Sequence, residues 1–423
     1  MLEIIIASAI GIISGIISGL APGIPMLLGY FIFLPLVPAE PLPLLSYAII
    51  SMMGSQFFGS QAALYYKIPG EASSFPVLFE LKNFTSPKNI YKAVQTTTYG
   101  SLVASIFALV IMFVVLTSGL LTGLHLPILA KATIFAFLIV VTIYTEKRML
   151  VNTIVLLLCA MLSVYEDIAS VVHTLPMYYF NSLLALIIIF STQLVFRINK
   201  DVGFDDTKVI STKFDWKRWY KPFSFYSFVG SLFGFIPQLG ATLASYATYG
   251  WTKYKKQDPI QRVTASETAN NSAILIAWIP LIIFGVPINA VEMLFMQYFT
   301  MLGFEFDFLN EFSNQVTLII TLLVSAVVFS VLALTTNKLM YRWIAVALNS
   351  RLFGIIIGAI SVLMFWKANN YTGDFILTHL VTFLPISYLI AKYKVSMIPV
   401  VIGFLLTDPI VTTVYQVLEI YIL

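Results

Sequence analysis

Glu71, Glu267, Asn270 and Asn271 have the most chemical reach in a chain that is otherwise almost wholly apolar. A carboxylate inside an apolar segment is expensive and is usually kept for a function. The alternative for Glu71 and Glu267 is a place at headgroup level, where a charge costs little. Around them lie clusters of small and hydroxyl residues: Gly54-Ser55-Gln56, Gly59-Ser60-Gln61 and Gly70-Glu71-Ala72-Ser73-Ser74. The second half answers with Thr242 and Ser245, Ser266-Glu267-Thr268, Asn270-Asn271-Ser272 and Asn289. Two proline tips accompany them, Pro22-Gly23 and Pro237-Gln238 with Gly240. Pro69 is matched likewise by Pro287, and the offsets 237 − 22 = 215 and 287 − 69 = 218 are nearly equal. Gly/Pro-broken hydrophobic segments at matching places in two halves point to a secondary transporter's binding site. Where the chain unwinds, half-helix N-termini offer N–H groups to an anion. Freed carbonyls with Asn, Ser and Thr oxygens suit Na⁺, and Glu267, Asn270 and Asn271 are the candidate ligands. Close helix packing is the competing explanation for any single Gly or Ser.

No catalytic constellation stands beside these clusters. His125, His173 and His379 lack a second His at metal-ligand spacing, and there is no P-loop. Cys159 is the one cysteine, so an intrachain disulfide or Cys-based zinc site is impossible. The reading is not an enzyme and carries no cofactor, with Na⁺ or H⁺ as coupling ion.

Elements able to hold such a site follow from composition. The chain has 423 residues, 59% hydrophobic and 10% charged, against about 25% charged in soluble domains. Its long apolar runs do not alternate as barrel strands do, so the expected class is an all-α polytopic membrane protein. The formal charge of +4 is no nucleic-acid signature, because most Lys and Arg lie between apolar runs. The N-terminus lacks a basic n-region, and a cleaved signal peptide is not expected.

Loop charge sets orientation. Pro38 to Pro43 carries no Lys or Arg, whereas its counterpart Lys253-Tyr254-Lys255-Lys256 with Arg262 is basic. Lys82, Lys88 and Lys92 are answered by the acidic stretch Phe304 to Glu311. Both pairs swap sign, as an inverted-topology repeat requires. The expected organisation is repeat 1 over 1–197, a cytoplasmic linker over 198–221, and an inverted repeat 2 over 222–423. Residues 4–37 and 222–252 form re-entrant helical hairpins with tips at Pro22-Gly23 and Pro237-Gln238. Kinked spanning helices are the rival. With 43–80 and 264–303 crossing once and four plain helices after each, about ten spans result, with both termini outside.

At these residues the chain resembles the large permease subunit of the tripartite tricarboxylate transporters (the TctA family). Three passages carry the likeness: Gly19 to Pro25, Gly54 to Ser74, and Gly234 to Asn289 with Glu267-Thr268-Ala269-Asn270-Asn271. The resemblance implies an ion-coupled uptake permease of the inner membrane that carries citrate or other carboxylates. It also implies a small four-helix membrane subunit and a periplasmic binding protein as partners. Where the family usually has Pro-Gly-x-Gly at both tips, Pro25 replaces the last Gly of the first tip, and Gln238 the first Gly of the second. Ile288 stands where a Gly usually follows the last proline.

The leading expectation is a secondary transporter of a small organic anion. Its candidate binding residues are Pro22, Gly23, Ser55, Gly59, Ser60, Gly70, Glu71, Ser73, Pro237, Gln238, Gly240, Thr242, Asn270, Asn271, Ser272 and Asn289. The other classes are a translocase of a lipid-linked phosphate, fitting the aromatics near the tips, and a non-transporting membrane scaffold. Membrane lipids surround it in every case.

Overall fold

The computed structural model describes residues 1–20, 30, 33–66, 72–80, 83–84, 87–118, 127–144, 149–171, 181–196, 214–335, 372–393, 395, 397–405, 410 and 413, and scattered positions between 352 and 366. Among these residues every regular element is a helix. In chain order they are α1 (Leu2–Leu20), α2 (Pro41–Tyr66), α3 (Phe75–Glu80), α4 (Pro87–Thr117), α5 (Ile128–Tyr144), α6 (Met149–Val171), α7 (Ser182–Phe196), α8 (Trp216–Phe233), α9 (Gly240–Tyr254), α10 (Pro259–Ile276), α11 (Trp278–Phe284), α12 (Ala290–Met301), α13 (Phe312–Thr335), α14 (Gly373–Lys392) and α15 (Met397–Leu405). Six helical stretches among the described residues are long and apolar enough to cross a membrane, α10 and α11 counting as one. The protein is a multi-pass membrane protein.

Two compact units share the chain. The first comprises residues 1–122, 198–283 and 305–350, the second residues 123–197, 284–304 and 351–423. Each therefore draws on both halves of the sequence.

In the first unit, α2 and α10 are interior and α4 and α13 form its outside. Ile106, Val110 and Val114 of α4 and Ile320, Val324, Val327 and Val331 of α13 are exposed at helical spacing, as lipid-facing stripes must be. No such stripe exists on α10, where every residue from Val263 to Ile276 is buried. Small residues let its neighbours come close. A Cβ on Gly230 of α8 would strike the Ala269 carbonyl, and one on Gly234 would lie 2.6 Å from the Ala273 oxygen. The same contact recurs between α1 and α2, where a Cβ on Gly15 would lie 2.8 Å from Gly54 Cα. Ser14 and Ser51 hydroxyls pair beside it at 2.6 Å.

The residue separations in the two contacts are identical: 54 − 15 = 39 and 269 − 230 = 39. Gly19 meets Phe58 and Gly234 meets Ala273 at the same separation, 58 − 19 = 39 and 273 − 234 = 39. Contacts that advance together along both helices mean that α1 runs parallel to α2, and α8 parallel to α10. The chain between the members of each pair has to return to its starting level. In the second half that return is α9, reached through the turn 234–239. In the first half Tyr30 already lies back beside Tyr47, whose hydroxyl donates to the Tyr30 carbonyl.

Local signals set the helix ends. Asp258 caps α10 by accepting from Gln261 N at 2.9 Å, with Pro259 at the first helical position. Asp215 caps α8, which begins at Trp216 and so takes up the last residues of the expected linker.

The second unit pairs α6 with α15 and α7 with α14. Gly403 backs onto the Leu156 carbonyl and Cys159, and Ser163 Oγ donates to the Phe404 carbonyl at 3.0 Å. His379 is structural. Its Nε2 accepts from Asn181 N at 3.0 Å, and Nδ1 therefore donates to the Phe375 carbonyl at 2.8 Å.

The glycine seam gives a contrast within one hairpin. Gly230→Val should destabilise the protein by about 1–3 kcal/mol, the usual cost of overpacking. Gly250→Ala, where a Cβ meets open space, should stabilise by up to about 1 kcal/mol. Thermal unfolding followed by tryptophan fluorescence in detergent checks both signs.

Candidate functional site

A helix with the sequence Thr264-Ala-Ser-Glu-Thr-Ala-Asn-Asn-Ser272 cannot stand in an apolar interior unless its neighbours supply partners. They do so face by face. Towards α2, Asn270 Nδ2 donates to Gln56 Oε1 at 2.8 Å. Towards α4, Thr264 Oγ1 donates to Thr96 Oγ1 at 3.0 Å, and Asn271 Nδ2 donates to Ser101 Oγ at 2.9 Å. The second Asn271 amide hydrogen goes to the Glu267 carbonyl at 2.7 Å. Towards α8, the Ser272 and Ser231 hydroxyls pair at 2.7 Å beside the Ser227 carbonyl. Towards α9, Ser266 and Ser245 pair at 2.6 Å while Ser245 Oγ donates to the Ser73 carbonyl at 2.5 Å. Gln61 Nε2 closes the ring by donating to Thr98 Oγ1 at 3.0 Å, tying α2 to α4. The result is a polar layer inside the first unit.

At the end of this layer where α10 begins lies a buried charge cluster. Glu80, 4% exposed, pairs with Arg262 Nη1 at 3.2 Å. It also accepts from Tyr249 Oη at 2.8 Å and Asn83 Nδ2 at 2.6 Å. The nearby Arg218–Asp258 pair at 2.7 Å is solvent-exposed, and such pairs contribute little to stability.

Of the residues singled out from sequence, Asn270, Asn271 and Ser272 meet in the layer. Ser55 and Ser60 are buried on α2, but their hydroxyls donate to their own helix, at Met52 O (2.8 Å) and Phe57 O (3.2 Å). Gly59 leaves open space where a Cβ would stand. Ser73 lies in the 3₁₀ turn Ala72–Ser74, its hydroxyl buried with no hydrogen-bond partner among the described residues. Pro237, Gln238, Gly240 and Thr242 sit together at the α8–α9 turn. Asn289 belongs to the second unit, where its Oδ1 accepts from Val291 N (3.1 Å) and Glu292 N (3.0 Å) and caps α12. Glu292, a second buried carboxylate there, is held by the same turn, accepting from Ile288 N at 2.7 Å and from Asn289 Nδ2. Pro22, Gly23, Gly70 and Glu71 lie outside the described residues.

One expectation is corrected. The Gly54–Gln61 and Glu267–Ser272 stretches do not unwind; α2 and α10 run straight through them. Gly54 is small because Gly15 and the Phe329 ring press against it. The layer therefore offers side-chain oxygens, while its backbone carbonyls stay within helices. Breaks do occur at 234–239 and at 285–289, the two second-half proline sites. Missing from the sequence reading were the α4 partners Thr96, Thr98 and Ser101, and Glu80 with Tyr249. A stripe of Thr97, Ser101 and Ser105 at four-residue spacing was the signal for α4. Glu80 carried none.

Gln238 is the strained point of the site. Its φ is +59°, a left-handed conformation that residues other than glycine rarely adopt. Its Oε1 is enclosed without a hydrogen-bond partner.

Comparison with known proteins adds the family. Residues 5–402 match the Tripartite tricarboxylate transporter TctA family. Two similar curated proteins come from Agrobacterium vitis. One is described as an uncharacterized 52.8 kDa protein in the TAR-I ttuC' 3'region, 23% identical over 317 residues, covering 70% of this chain and 63% of that protein. The other is an uncharacterized protein in the TAR-II ttuC' 3'region, 36% identical over 81 residues, covering 18% of this chain and 34% of that one. The matches thus span less than two thirds of either relative's length. No solved structure matches the chain.

Because the left-handed conformation costs an L-residue about 1–2 kcal/mol, and glycine gives back part of that in chain entropy, Gln238→Gly should stabilise the fold by about 0.5–1 kcal/mol. Denaturation midpoints of the two proteins in the same detergent test this; a destabilised variant would mean that the glutamine side chain holds the turn.

Proposed function

The chain belongs to the tripartite tricarboxylate transporter TctA family, and on that premise we propose that it is an ion-coupled secondary transporter importing a small organic anion, a carboxylate by family. The observation that carries this reading is the repeated parallel helix pair around a buried polar layer. A scaffold needs neither.

The pair supports two re-entrant hairpins. Arg218 near the start of α8 reaches Asp258, and Tyr226 reaches Gln257 at 3.1 Å, both at the base of α10. α9 ends at Tyr254, beside the same base. The turn between them reaches only Ala273 and Ile276, whereas α10 and α11 run on to Phe284. Together these cover 26 residues, about 39 Å, more than the roughly 30 Å hydrocarbon core. A hairpin whose two ends share one face and whose tip stops within the membrane is re-entrant.

Exchanged pairing supports an inverted repeat over 1–197 and 222–423, joined by a linker at 198–221. In the first unit α10 packs on α4, and their counterparts α2 and α13 pack on each other. In the second unit α6 packs on α15, and their counterparts α14 and α7 do likewise. About ten spans with both termini outside, in the inner membrane, fit this plan.

In alternating access the anion would meet Pro22, Gly23, Gly70, Glu71, Ser73, Pro237, Gln238, Gly240 and Thr242 near the tips and turns. Ser55, Gly59, Ser60, Ser272 and Asn289 are further candidates. Asn270 and Asn271 couple it to Na⁺ or H⁺ beside Glu267. A small four-helix membrane subunit and a periplasmic binding protein are the family's partners.

Asn270→Ala and Asn271→Ala should each abolish uptake of labelled carboxylates by cells carrying the chain with its neighbouring subunits, with membrane insertion intact. Uptake at the wild-type rate in both variants would remove the layer from the mechanism.

A further inference from the structure

The base of the α8–α9 hairpin gathers cations that the fold does not neutralise. Among the described residues its carboxylates are engaged: Asp258 pairs with Arg218, Glu80 with Arg262, and Asp215 caps α8. Lys217, Lys221, Lys253, Lys255 and Lys256 are exposed and stand in no ion pair among those residues. Aromatic rings lie beside several of them. Lys255 Nζ is 4.9 Å from the Trp251 ring centroid and 5.8 Å from that of Tyr254, and Lys221 Nζ is 5.9 Å from that of Tyr220. Lysine among Trp and Tyr is the composition of a membrane interface.

Two of these lysines head exposed apolar stripes. On α8, Lys221, Phe225, Phe228 and Leu232 follow at steps of four, three and four and are all exposed, whereas Phe223, Tyr226 and Gly230 behind them are buried. On α9, Leu243, Ala247 and Trp251 lead in four-residue steps to Lys255, and all four are exposed. The Phe225 and Trp251 ring centroids are 6.5 Å apart, so the stripes run side by side. Lys221 and Lys255 each lie one helical turn from that contact, on its base side.

The length of the stripes narrows what covers them. From Lys221 to Leu232 the helix rises over 232 − 221 = 11 residues, about 16 Å, and from Leu243 to Lys255 over 255 − 243 = 12 residues, about 18 Å. Each length is close to one leaflet, half of the roughly 30 Å hydrocarbon core. A partner's spanning helix would call for a stripe twice as long. A phospholipid is charged at one end and apolar over one leaflet, and unneutralised lysines select an anionic headgroup. We propose that this face of the α8–α9 hairpin binds an anionic phospholipid, its phosphate held by Lys221 and Lys255 and its acyl chains laid over Phe225, Phe228 and Trp251. The site requires a membrane and not a transport cycle, so it stands apart from the carrier reading above.

The test uses the purified full-length chain in detergent, titrated with phosphatidylglycerol or phosphatidylcholine brominated on the acyl chain, and reads quenching of tryptophan fluorescence. Brominated phosphatidylglycerol should quench saturably, at a half-saturation about tenfold or more below that of brominated phosphatidylcholine, since each lysine near an anionic lipid surface changes affinity about fivefold. Changing Lys221→Gln and Lys255→Gln together should abolish that preference. Lys392→Gln, at a lysine beside Tyr393 at the end of α14, should keep it. Trp251→Phe should lose most of the saturable quenching if the lipid lies on this face, and full quenching in that variant would overturn the placement. Equal half-saturation by the two lipids on the wild-type chain overturns the site and leaves the face to bulk lipid or a protein partner; this series decides even if a variant fails to fold. An unchanged preference in the double lysine variant overturns it as well. So does displacement of the lipid by inorganic phosphate at equal concentration, which would mark a site for the free anion.

Discussion

Everything in the first unit answers to one constraint: α10 carries a carboxylate and two carboxamides through the middle of an apolar protein. A charge at the centre of an isolated membrane helix costs about 2.5–3.5 kcal/mol on insertion scales, so α10 has no stable place against lipid. It becomes stable only when surrounded, and each neighbour is fitted to that task. α2 brings Gln56, α4 brings Thr96 and Ser101, α8 brings Ser231 and α9 brings Ser245. Those helices in turn need small residues to come close enough, hence Gly230 against the Ala269 carbonyl. The lipid-facing Val, Ile and Leu stripes of α4 and α13 are then what remains for the outside.

The sequence exposed this plan unevenly. Helical membrane class followed from composition, and the second-half prolines marked two real breaks. Arg262, read from sequence as part of the basic stretch after Lys253, pairs with Glu80 at the end of the first unit where α10 begins. What misled was the double meaning of Gly, Ser and Asn. The same residues permit unwinding or close packing, and only the partner decides. Gly54 is a packing residue because Gly15 lies opposite, a fact 39 residues away in the chain (54 − 15 = 39). Thr98 and Gln61 matter because tertiary structure joins them, and neither has a local signature. Glu80 shows the limit most plainly, for a single acidic residue near a loop looks like any other until Tyr249 and Arg262 close around it.

Gln238 separates two demands that usually coincide. The α8–α9 turn asks for a residue free to adopt positive φ, and the family resemblance places glycine there. This chain keeps a glutamine at a conformational cost, with its amide oxygen enclosed at the tip. Gly240, two residues further on, closes the turn against the Phe233 carbonyl, where a Cβ would lie 2.3 Å from that oxygen. The first turn of α9 can then start in register with Ser245 and Thr248, the residues that bind α10 and its neighbours.

The parallel pairing of α8 with α10 also bears on how the protein is made. A ribosome releases Gly230 well before Ala269, 39 residues later (269 − 230 = 39), an interval of roughly 2–8 s at usual elongation rates of about 5–20 residues per second. During it the Ser227 and Ser231 face of α8 has no permanent neighbour. The same wait befalls α1 before α2 emerges. An unaccompanied hairpin of this kind is a natural client for whatever shelters nascent membrane segments, and the order of synthesis becomes part of the fold.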